Sequence, residues 1–214
     1  MSRLVAHPLD SIAPRLNAIL VEVGQSPLSP DRAARFSTYF AVLHRWNARI
    51  NLTAIRSEDN ILRRHFVESI AVARALPAGI QTLLDFGSGA GFPGLPIAIC
   101  RPEISVVLAE SQVKKAAFLR EAVRGTGAAV EVFSDRAEMI GRRFGCVTLR
   151  AVDRMQAAAR AASLLVGPSG WLALMTTHSG LIDLVPAIGG AFAWNEPIPL
   201  PSAEARVLLL GQTA

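Results

Sequence analysis

Cysteine, lysine and aromatic residues are scarce in this chain of 214 residues. Its two cysteines, Cys100 and Cys146, lie far apart in apolar stretches. Such a pair favours buried, reduced thiols over a disulfide, and no cysteine or histidine spacing indicates a metal site. Aromatic residues make up 6% of a chain that is 51% hydrophobic. Aliphatic side chains are therefore predicted to fill a core of ordinary globular size.

A long uninterrupted apolar run is also missing. The longest stretch without a charged residue, 161–182, contains Gly-Pro-Ser-Gly in its middle. A spanning helix needs roughly 20 continuous apolar residues, so this stretch is predicted to form a helix, a turn and a strand. Residues 1–10 lack an apolar signal region. The sequence therefore predicts a cytoplasmic protein that does not enter a membrane.

The positive charge of the chain comes almost entirely from arginine. The net charge is +5, and residues 1–80 hold ten arginines against six acids. A basic surface favours a polyanionic partner such as nucleic acid, and the guanidinium fork suits phosphate. A solvated charged face is the alternative. The pairs Arg63, Arg64 and Arg142, Arg143 are candidate phosphate contacts.

The chain divides into two regions that differ in their predicted secondary structure. Residues 1–80 are predicted to form a helical extension packed on a core formed by residues 81–214. The extension carries helices at 14–23, from the N-cap Ser29 onward, and at 57–76. In the core, strands are predicted at 81–86, 104–109, 128–133, 145–150, 170–176, 191–198 and 206–210. Helices or turns are predicted between them at 93–101, 112–124, 136–142, 154–166 and 179–188.

This alternation predicts an α/β fold with parallel strands joined by right-handed crossovers. The six or so residues before the last strand are too few for a crossover helix, so the final two strands should pair antiparallel. A mostly parallel, Rossmann-like sheet of seven strands with an antiparallel terminal hairpin is the class I methyltransferase arrangement.

A glycine-rich loop follows the first strand of the core. Residues 85–94 read Asp-Phe-Gly-Ser-Gly-Ala-Gly-Phe-Pro-Gly, which is typical of a strand that turns sharply into a helix and lets a ligand approach the backbone. The spacing from Gly89 to Gly94 also fits a dinucleotide loop, so an NAD-dependent oxidoreductase is an alternative. An acid just before Gly-x-Gly, in a chain with little room for a second domain, favours S-adenosylmethionine. The candidate cofactor residues here are Asp85, Gly87, Gly89, Gly91 and Phe92.

Three later strand ends supply further candidates. Glu110 closes the second strand, where an acid can accept hydrogen bonds from ribose hydroxyls. Ala137 and Glu138 follow the third strand, at the position where a methyltransferase holds adenine. Arg150 ends the fourth strand and should face the cofactor cleft. Arg150 is thus a candidate for positioning the substrate or the cofactor.

The residues around the fourth strand also limit the target atom. No Asn-Pro-Pro-Tyr motif for an exocyclic amine follows this strand, and Cys146 lies too early to act as a nucleophile on cytosine C5. A target with an available lone pair, such as guanine N7, fits best. Its methylation would be a direct in-line attack that rests on positioning rather than on a general base.

The glycine loop, together with five shorter motifs, resembles a known family over roughly residues 30–155. These motifs are Asn51-Leu52-Thr53, His65-Phe66-Val67-Glu68-Ser69, Lys114-Lys115-Ala116-Ala117-Phe118-Leu119, Arg136-Ala137-Glu138 and Arg150-Ala151-Val152, in addition to the loop itself. Their order and spacing are similar to those of the bacterial small-subunit rRNA guanine-N7 methyltransferases, the glucose-inhibited division B family. Glu68 and Glu110 stand where that family usually has aspartate, and Asp153 where a small residue is common.

The resemblance implies transfer of a methyl group from S-adenosylmethionine to N7 of a guanine in 16S rRNA. It implies cofactor contacts at Gly87, Phe92, Ala137, Glu138 and Arg150, and a basic surface that faces the small ribosomal subunit. His65 is a candidate to line the site, with a structural role as the alternative. No dimer seam is evident, so a monomer is expected. A non-enzymatic RNA-binding assembly factor is the remaining alternative.

Overall fold

The first two helices of the chain lie close to their predicted positions, and the second begins at its predicted cap. The computed structural model describes residues 12–201 and 205–214, so the prediction about residues 1–10 lies outside the described residues. Helix α1 spans Ile12–Glu22 and α2 spans Pro30–Ile50. The Ser29 side chain accepts a hydrogen bond from the Arg32 N–H, and Pro30 occupies the first helical turn. Both residues act as the sequence predicts.

The predicted third helix is interrupted by a wider turn. It consists of α3 (Glu58–Ile61), a π-helical segment (Leu62–Val67) and α4 (Glu68–Ala75). A π-helical turn holds an additional residue compared with an α-helical one and is frequent at functional sites. Here the segment contains Arg63, Arg64 and His65.

Five parallel strands form the centre of the sheet, in the order β3-β2-β1-β4-β5. The strands are β1 (Thr82–Phe86), β2 (Ser105–Ala109), β3 (Val130–Phe133), β4 (Phe144–Arg150) and β5 (Val166–Thr177). The helices between and after them are α5 (Gly94–Cys100), α6 (Val113–Thr126), α7 (Met155–Leu164) and α8 (His178–Ile188). A short 3-10 turn, Ala137–Met139, follows β3. The predicted alternation of strands and helices is confirmed.

The end of the chain adds antiparallel strands. Strand β8 (Arg206–Thr213) lies between β5 and β6 (Phe192–Trp194) and runs antiparallel to both. The predicted strand 191–198 is interrupted at residues 195–197, and this interruption contains Pro197, which has no N–H to donate. The short β7 (Ile198–Pro199) pairs separately with β8. The sheet therefore has eight strands rather than seven, with the predicted antiparallel ending.

Each face of the sheet carries its own apolar cluster. One face packs against α1, α2, α4, α5 and α6, and the other against α7 and α8. Cys100 and Cys146 are buried free thiols, as predicted, and burial raises the pKa of Cys146 to about 12. None of the helices in the described residues is long and apolar enough to span a membrane.

Candidate active site

A cleft of about 570 Å³ opens where β1, β2 and β4 end. Parallel strands present their carboxyl ends at one edge of a sheet, and ligands of open α/β folds bind there. The volume lies within the range of small-molecule sites. Eight of the predicted site residues line this cleft: His65, Gly87, Gly89, Phe92, Glu110, Ala137, Glu138 and Arg150.

The glycine loop leaves its backbone open to the cleft. Gly87 has a φ of +70°, and a Cβ built there would lie 2.5 Å from Val152 Cγ1. Gly89 has a φ of +55°, and the atom nearest to a Cβ built there would be 3.9 Å away. Glycine at 87 therefore lets the loop after β4 pack closely, whereas glycine at 89 leaves space for a ligand.

Glu110 joins the glycine loop to the loop after β2. Its Oε2 accepts a hydrogen bond of 2.9 Å from the Gly89 N–H, and its Oε1 accepts one of 2.8 Å from the Gln112 N–H. The side chain is largely buried. Each carboxylate oxygen retains a second lone pair, so Glu110 can still accept hydrogen bonds from a ligand's hydroxyl groups.

Two predicted cofactor residues lie behind the loop instead of lining the cleft. The buried Asp85 accepts hydrogen bonds from Thr148 Oγ1 (2.8 Å) and from the Gly94 N–H (3.2 Å). A Cβ at Gly91 would lie 2.7 Å from Tyr39 Oη, whose hydroxyl donates to the Ala90 carbonyl. Asp85 and Gly91 thus shape the loop from behind.

Arg150 is held in a buried cluster of charges. Its Nη2 lies 3.2 Å from Glu68 Oε2 and 2.5 Å from the Arg64 carbonyl. Glu68 is fully buried and also lies near the guanidinium groups of Arg64 (3.2 Å) and Arg206 (3.3 Å). One carboxylate therefore faces three guanidinium groups, and burial lowers the pKa of Arg150 to about 10.

The second terminal nitrogen of Arg150, Nη1, is buried and has no hydrogen-bond partner among residues 12–201 and 205–214. A buried donor without a partner is costly, and a positive charge makes it more so. Arg150 lines the cleft, so its positive charge lies beside any anionic group that the cleft holds.

His65 lies between Arg150 and Thr53. Its Nδ1 is 3.2 Å from Arg150 Nη2, and its Nε2 is 2.7 Å from Thr53 Oγ1. A guanidinium can only donate, so Nδ1 accepts, and the proton of the neutral ring is on Nε2 and points to Thr53. Burial, together with the charge of Arg150, lowers the pKa of His65 to about 3. This geometry leaves His65 no free nitrogen for acid or base chemistry.

The four arginines predicted to contact phosphate lie at two different places. Arg63 and Arg64 border a shallow depression beside the π-helical segment, and Arg63 pairs with Glu22 through two hydrogen bonds. Arg142 and Arg143 precede β4 and so lie at the opposite edge of the sheet from Arg150. Seven residues of strand separate the two edges by about 20 Å. The structure therefore does not bring Arg142 and Arg143 to the cleft.

Several residues of the site were not found from the sequence, and they include Arg154, which lines the cleft, as well as Arg206 and Tyr39. Arg206 opens β8, and an antiparallel strand begins at the edge where its parallel neighbours end, so the topology could have indicated it. Tyr39 fits the apolar stripe of α2, and nothing in that pattern shows that its hydroxyl reaches the glycine loop. In the described part of the chain, no group of three or more His, Cys, Asp or Glu side chains could hold a metal ion.

Known proteins are similar to this chain over most of its length. A family model described as rRNA small subunit methyltransferase G (GidB) matches residues 32–185. The ribosomal RNA small subunit methyltransferase G of Roseiflexus sp. (strain RS-1) is 38% identical over 190 residues, which cover 82% of this chain and 81% of that protein. The protein of the same name from Bacillus pumilus is 31% identical over 204 residues, covering 89% and 85%.

The fold is shared more widely than the sequence. A putative O-methyltransferase from Klebsiella pneumoniae superposes with a TM-score of 0.62 at 14% identity, over 97% of this chain and 100% of that one. A likeness at this identity concerns the fold alone, and it confirms the predicted class I methyltransferase architecture. Together with the family model and the relatives that carry its name, it leads to one conclusion: the chain belongs to the rRNA small subunit methyltransferase G (GidB) family.

Proposed function

We propose that this chain transfers a methyl group from S-adenosylmethionine to N7 of a guanine in 16S rRNA. The observation that carries the proposal is the cleft itself, which is lined by the open glycine loop, Glu110 and Arg150 together. The relatives named ribosomal RNA small subunit methyltransferase G support an rRNA substrate. Neither an NAD-dependent oxidoreductase nor a non-enzymatic assembly factor is favoured by these relatives.

The residues of the cleft fit S-adenosylmethionine group by group. Gly87 and Gly89 admit the cofactor close to the backbone, and Glu110 accepts the ribose hydroxyls. Ala137 and Glu138, at the cleft wall after β3, hold the adenine. Arg150 places its positive charge beside the carboxylate. Phe92 contributes an apolar wall, while Asp85 and Gly91 support the loop from behind.

The bound cofactor supplies an electrophilic methyl group on a positively charged sulfur. Guanine N7 has a lone pair in the plane of the ring and carries no proton, so a nucleophilic attack by this atom needs no general base. The engagement of both His65 nitrogens agrees with such a reaction. The chain contributes by aligning the two reactants, which can supply a large part of a rate enhancement.

Methylation of cytosine C5 requires a cysteine nucleophile, and Cys146 does not fit that role. Its side chain is fully buried in β4, and burial raises its pKa to about 12. A thiol that stays protonated at neutral pH is a poor nucleophile.

The RNA is proposed to approach from the open side of the cleft. Arg63 and Arg64 lie on the same helical segment as His65, and Arg136 and Arg154 line the cleft. We propose these four arginines as phosphate contacts and leave Arg142 and Arg143 out of this surface. The substrate is proposed to be rRNA within the small ribosomal subunit, which places the reaction in the cytoplasm. The chain is proposed to act as a monomer.

The proposal is tested with small ribosomal subunits that lack the modification. The subunits are incubated with the protein and with S-adenosylmethionine labelled in its methyl group, and the rRNA is then treated with borohydride and aniline, which cleave at N7-methylguanosine. We expect label and cleavage at one guanine, and neither with Arg150→Ala. Label at another base, or at another atom of guanine, would contradict the proposal.

A further inference from the structure

His65 presents an aromatic surface to the cleft. One face of its ring stacks on Phe92, with the ring centroids 4.9 Å apart and the planes at 20°. Both ring nitrogens are bonded to protein groups, Nδ1 to Arg150 and Nε2 to Thr53. The side chain is nevertheless only half-buried, and it lines the cleft. With both nitrogens engaged and one face on Phe92, the ring can contribute only carbon surface to the cleft.

The ring is held firmly in this position. Phe92 also packs against Tyr39 and Phe66, at centroid distances of 5.2 Å in both cases. The two hydrogen bonds fix the rotation of the imidazole about its own axis, and the low pKa keeps it uncharged across the physiological range. A flat, uncharged and immobile ring is a stacking surface rather than a proton carrier.

Small side chains also line the cleft. Ala151, Val152, Ala157 and Ala158 are among its lining residues, together with Asp153 and Arg154 from the same stretch of chain, and the cleft of about 570 Å³ has room for a planar group. Enzymes that modify a base take it out of its stack and hold it between aromatic and apolar side chains. A cleft that combines a fixed aromatic ring with small apolar side chains is suited to this.

We propose that His65 is the stacking surface for the guanine that receives the methyl group. This inference rests on the proposed function and adds a residue that touches the substrate base. Stacking of a base on an aromatic ring does not depend on the polar edge of the base, so the N7 edge of the guanine stays free to face the cofactor. His65 in this role acts on RNA and not on cofactor binding.

The test compares two substitutions of His65 in the full chain, with small ribosomal subunits as substrate. His65→Asn retains a polar group near Nδ1 and removes the ring, whereas His65→Phe retains a flat ring and removes both nitrogens. We expect His65→Asn to lower kcat/KM for subunits roughly tenfold to a hundredfold, the range for loss of one base–aromatic stack. His65→Phe should retain most of the activity, with a kcat/KM for subunits within about fivefold of the wild type. Calorimetric affinity for S-adenosylmethionine should stay within about twofold in both variants.

A matched control is His44→Asn. His44 is an exposed histidine on α2 whose ring also stacks on a phenylalanine, Phe40, with the planes at 18°. It does not line the cleft, so its substitution should leave kcat/KM unchanged. Thermal melting shows whether each variant is folded, and His65→Leu replaces His65→Asn if the latter is not.

The outcomes separate this inference from the proposed function. Equal losses in His65→Asn and His65→Phe, with weaker cofactor binding, would mean that His65 acts through its hydrogen bond to Arg150, and would overturn the stacking role. An unchanged kcat/KM for subunits in His65→Asn would overturn the stacking role as well. A wild-type protein that labels no guanine N7 would instead contradict the proposed function. The results with the His65 variants do not test that function.

Discussion

Glu68 Oε2 and Arg150 Nη2 lie 3.2 Å apart although 82 positions separate the two residues. Glu68 is fully buried, and the guanidinium groups of Arg64 and Arg206 share its carboxylate. Three cationic groups beneath the cleft thus depend on one anion. Through Arg150 and Arg206, Glu68 joins α4 to β4 and β8 at the place where the cofactor is proposed to bind.

Removal of this anion should be strongly destabilising. Breaking a buried ion pair from one side typically costs about 3–5 kcal/mol, because the remaining charge is left without compensation. We therefore expect Glu68→Ala to lower the free energy of unfolding by about this amount in urea titrations. Glu22→Ala, which breaks the exposed pair with Arg63, is the control and should change little. Similar effects of both substitutions would contradict the account of the cluster.

Asp85 should make the stability of the protein depend on pH. Burial raises the pKa of its carboxyl to about 6, because desolvation outweighs the hydrogen bonds from Thr148 and Gly94. The folded chain then holds a proton that the unfolded chain releases near pH 4. The stability contributed by this group is therefore present below about pH 4 and is lost as the pH rises to about 6.

This dependence can be measured by urea unfolding of the wild type and of Asp85→Asn, which has nearly the same size and cannot ionise. Between about pH 4 and about pH 6, the free energy of unfolding of the wild type should fall by up to about 3 kcal/mol relative to that of the variant. A difference that grows in favour of the wild type over this interval would mean that the hydrogen bonds outweigh desolvation at Asp85.

Gly87 should tolerate alanine poorly because of Val152. A Cβ at this position would approach Val152 Cγ1 to 2.5 Å, and the residue has a φ of +70°. We expect Gly87→Ala to lower the free energy of unfolding by about 2–4 kcal/mol, because overpacking adds to backbone strain. Gly127 has a φ of +63°, and a Cβ added there would meet no atom within 4 Å, so Gly127→Ala should cost only about 1 kcal/mol.

The contribution of the clash can be separated by a double-mutant cycle. Val152→Ala removes the methyl group that a Cβ at 87 would meet, so it should recover part of the loss in the Gly87→Ala background. No recovery, or equal costs at positions 87 and 127, would show that backbone strain alone explains the need for glycine at 87.

The position of the RNA surface is tested by salt dependence. Each phosphate contact contributes roughly 0.7–1 to the slope of log affinity against log salt concentration. Arg136→Ala, at the cleft, should reduce the slope for binding of small ribosomal subunits by about this amount. Arg143→Ala, at the opposite edge of the sheet, should leave it unchanged. A reduced slope with Arg143→Ala would place RNA on that edge as well.

Local signals in the sequence were sufficient for the fold. The Ser29 cap, the glycine loop and the short connection before β8 each depend on residues close together in the chain, and all three appear as predicted. The interruption between β6 and β7 contains Pro197, although a single strand is predicted there. A π-helical turn within residues 57–76 has no such local signature.

The sequence identified the cleft less completely. Glu110 and Arg150 were found because strand ends meet at one edge of a parallel sheet. Asp85 and Gly91 were also assigned to the cofactor, yet they act behind the loop, because a motif does not show which side of a turn faces the ligand. The contacts of Tyr39 and Arg206 depend on packing between distant elements, which no local pattern records.

The central claim is that the cleft beside Glu110 and Arg150 binds S-adenosylmethionine, and calorimetric titration of the purified chain tests it most directly. We expect micromolar binding that weakens about tenfold or more in Glu110→Ala and in Arg150→Ala, since each removes a charged hydrogen-bonding group from the cleft. Arg143→Ala should bind as the wild type does, and NADH should not bind. Binding of NADH without S-adenosylmethionine, or cofactor binding that neither substitution at 110 nor at 150 alters, would contradict the claim.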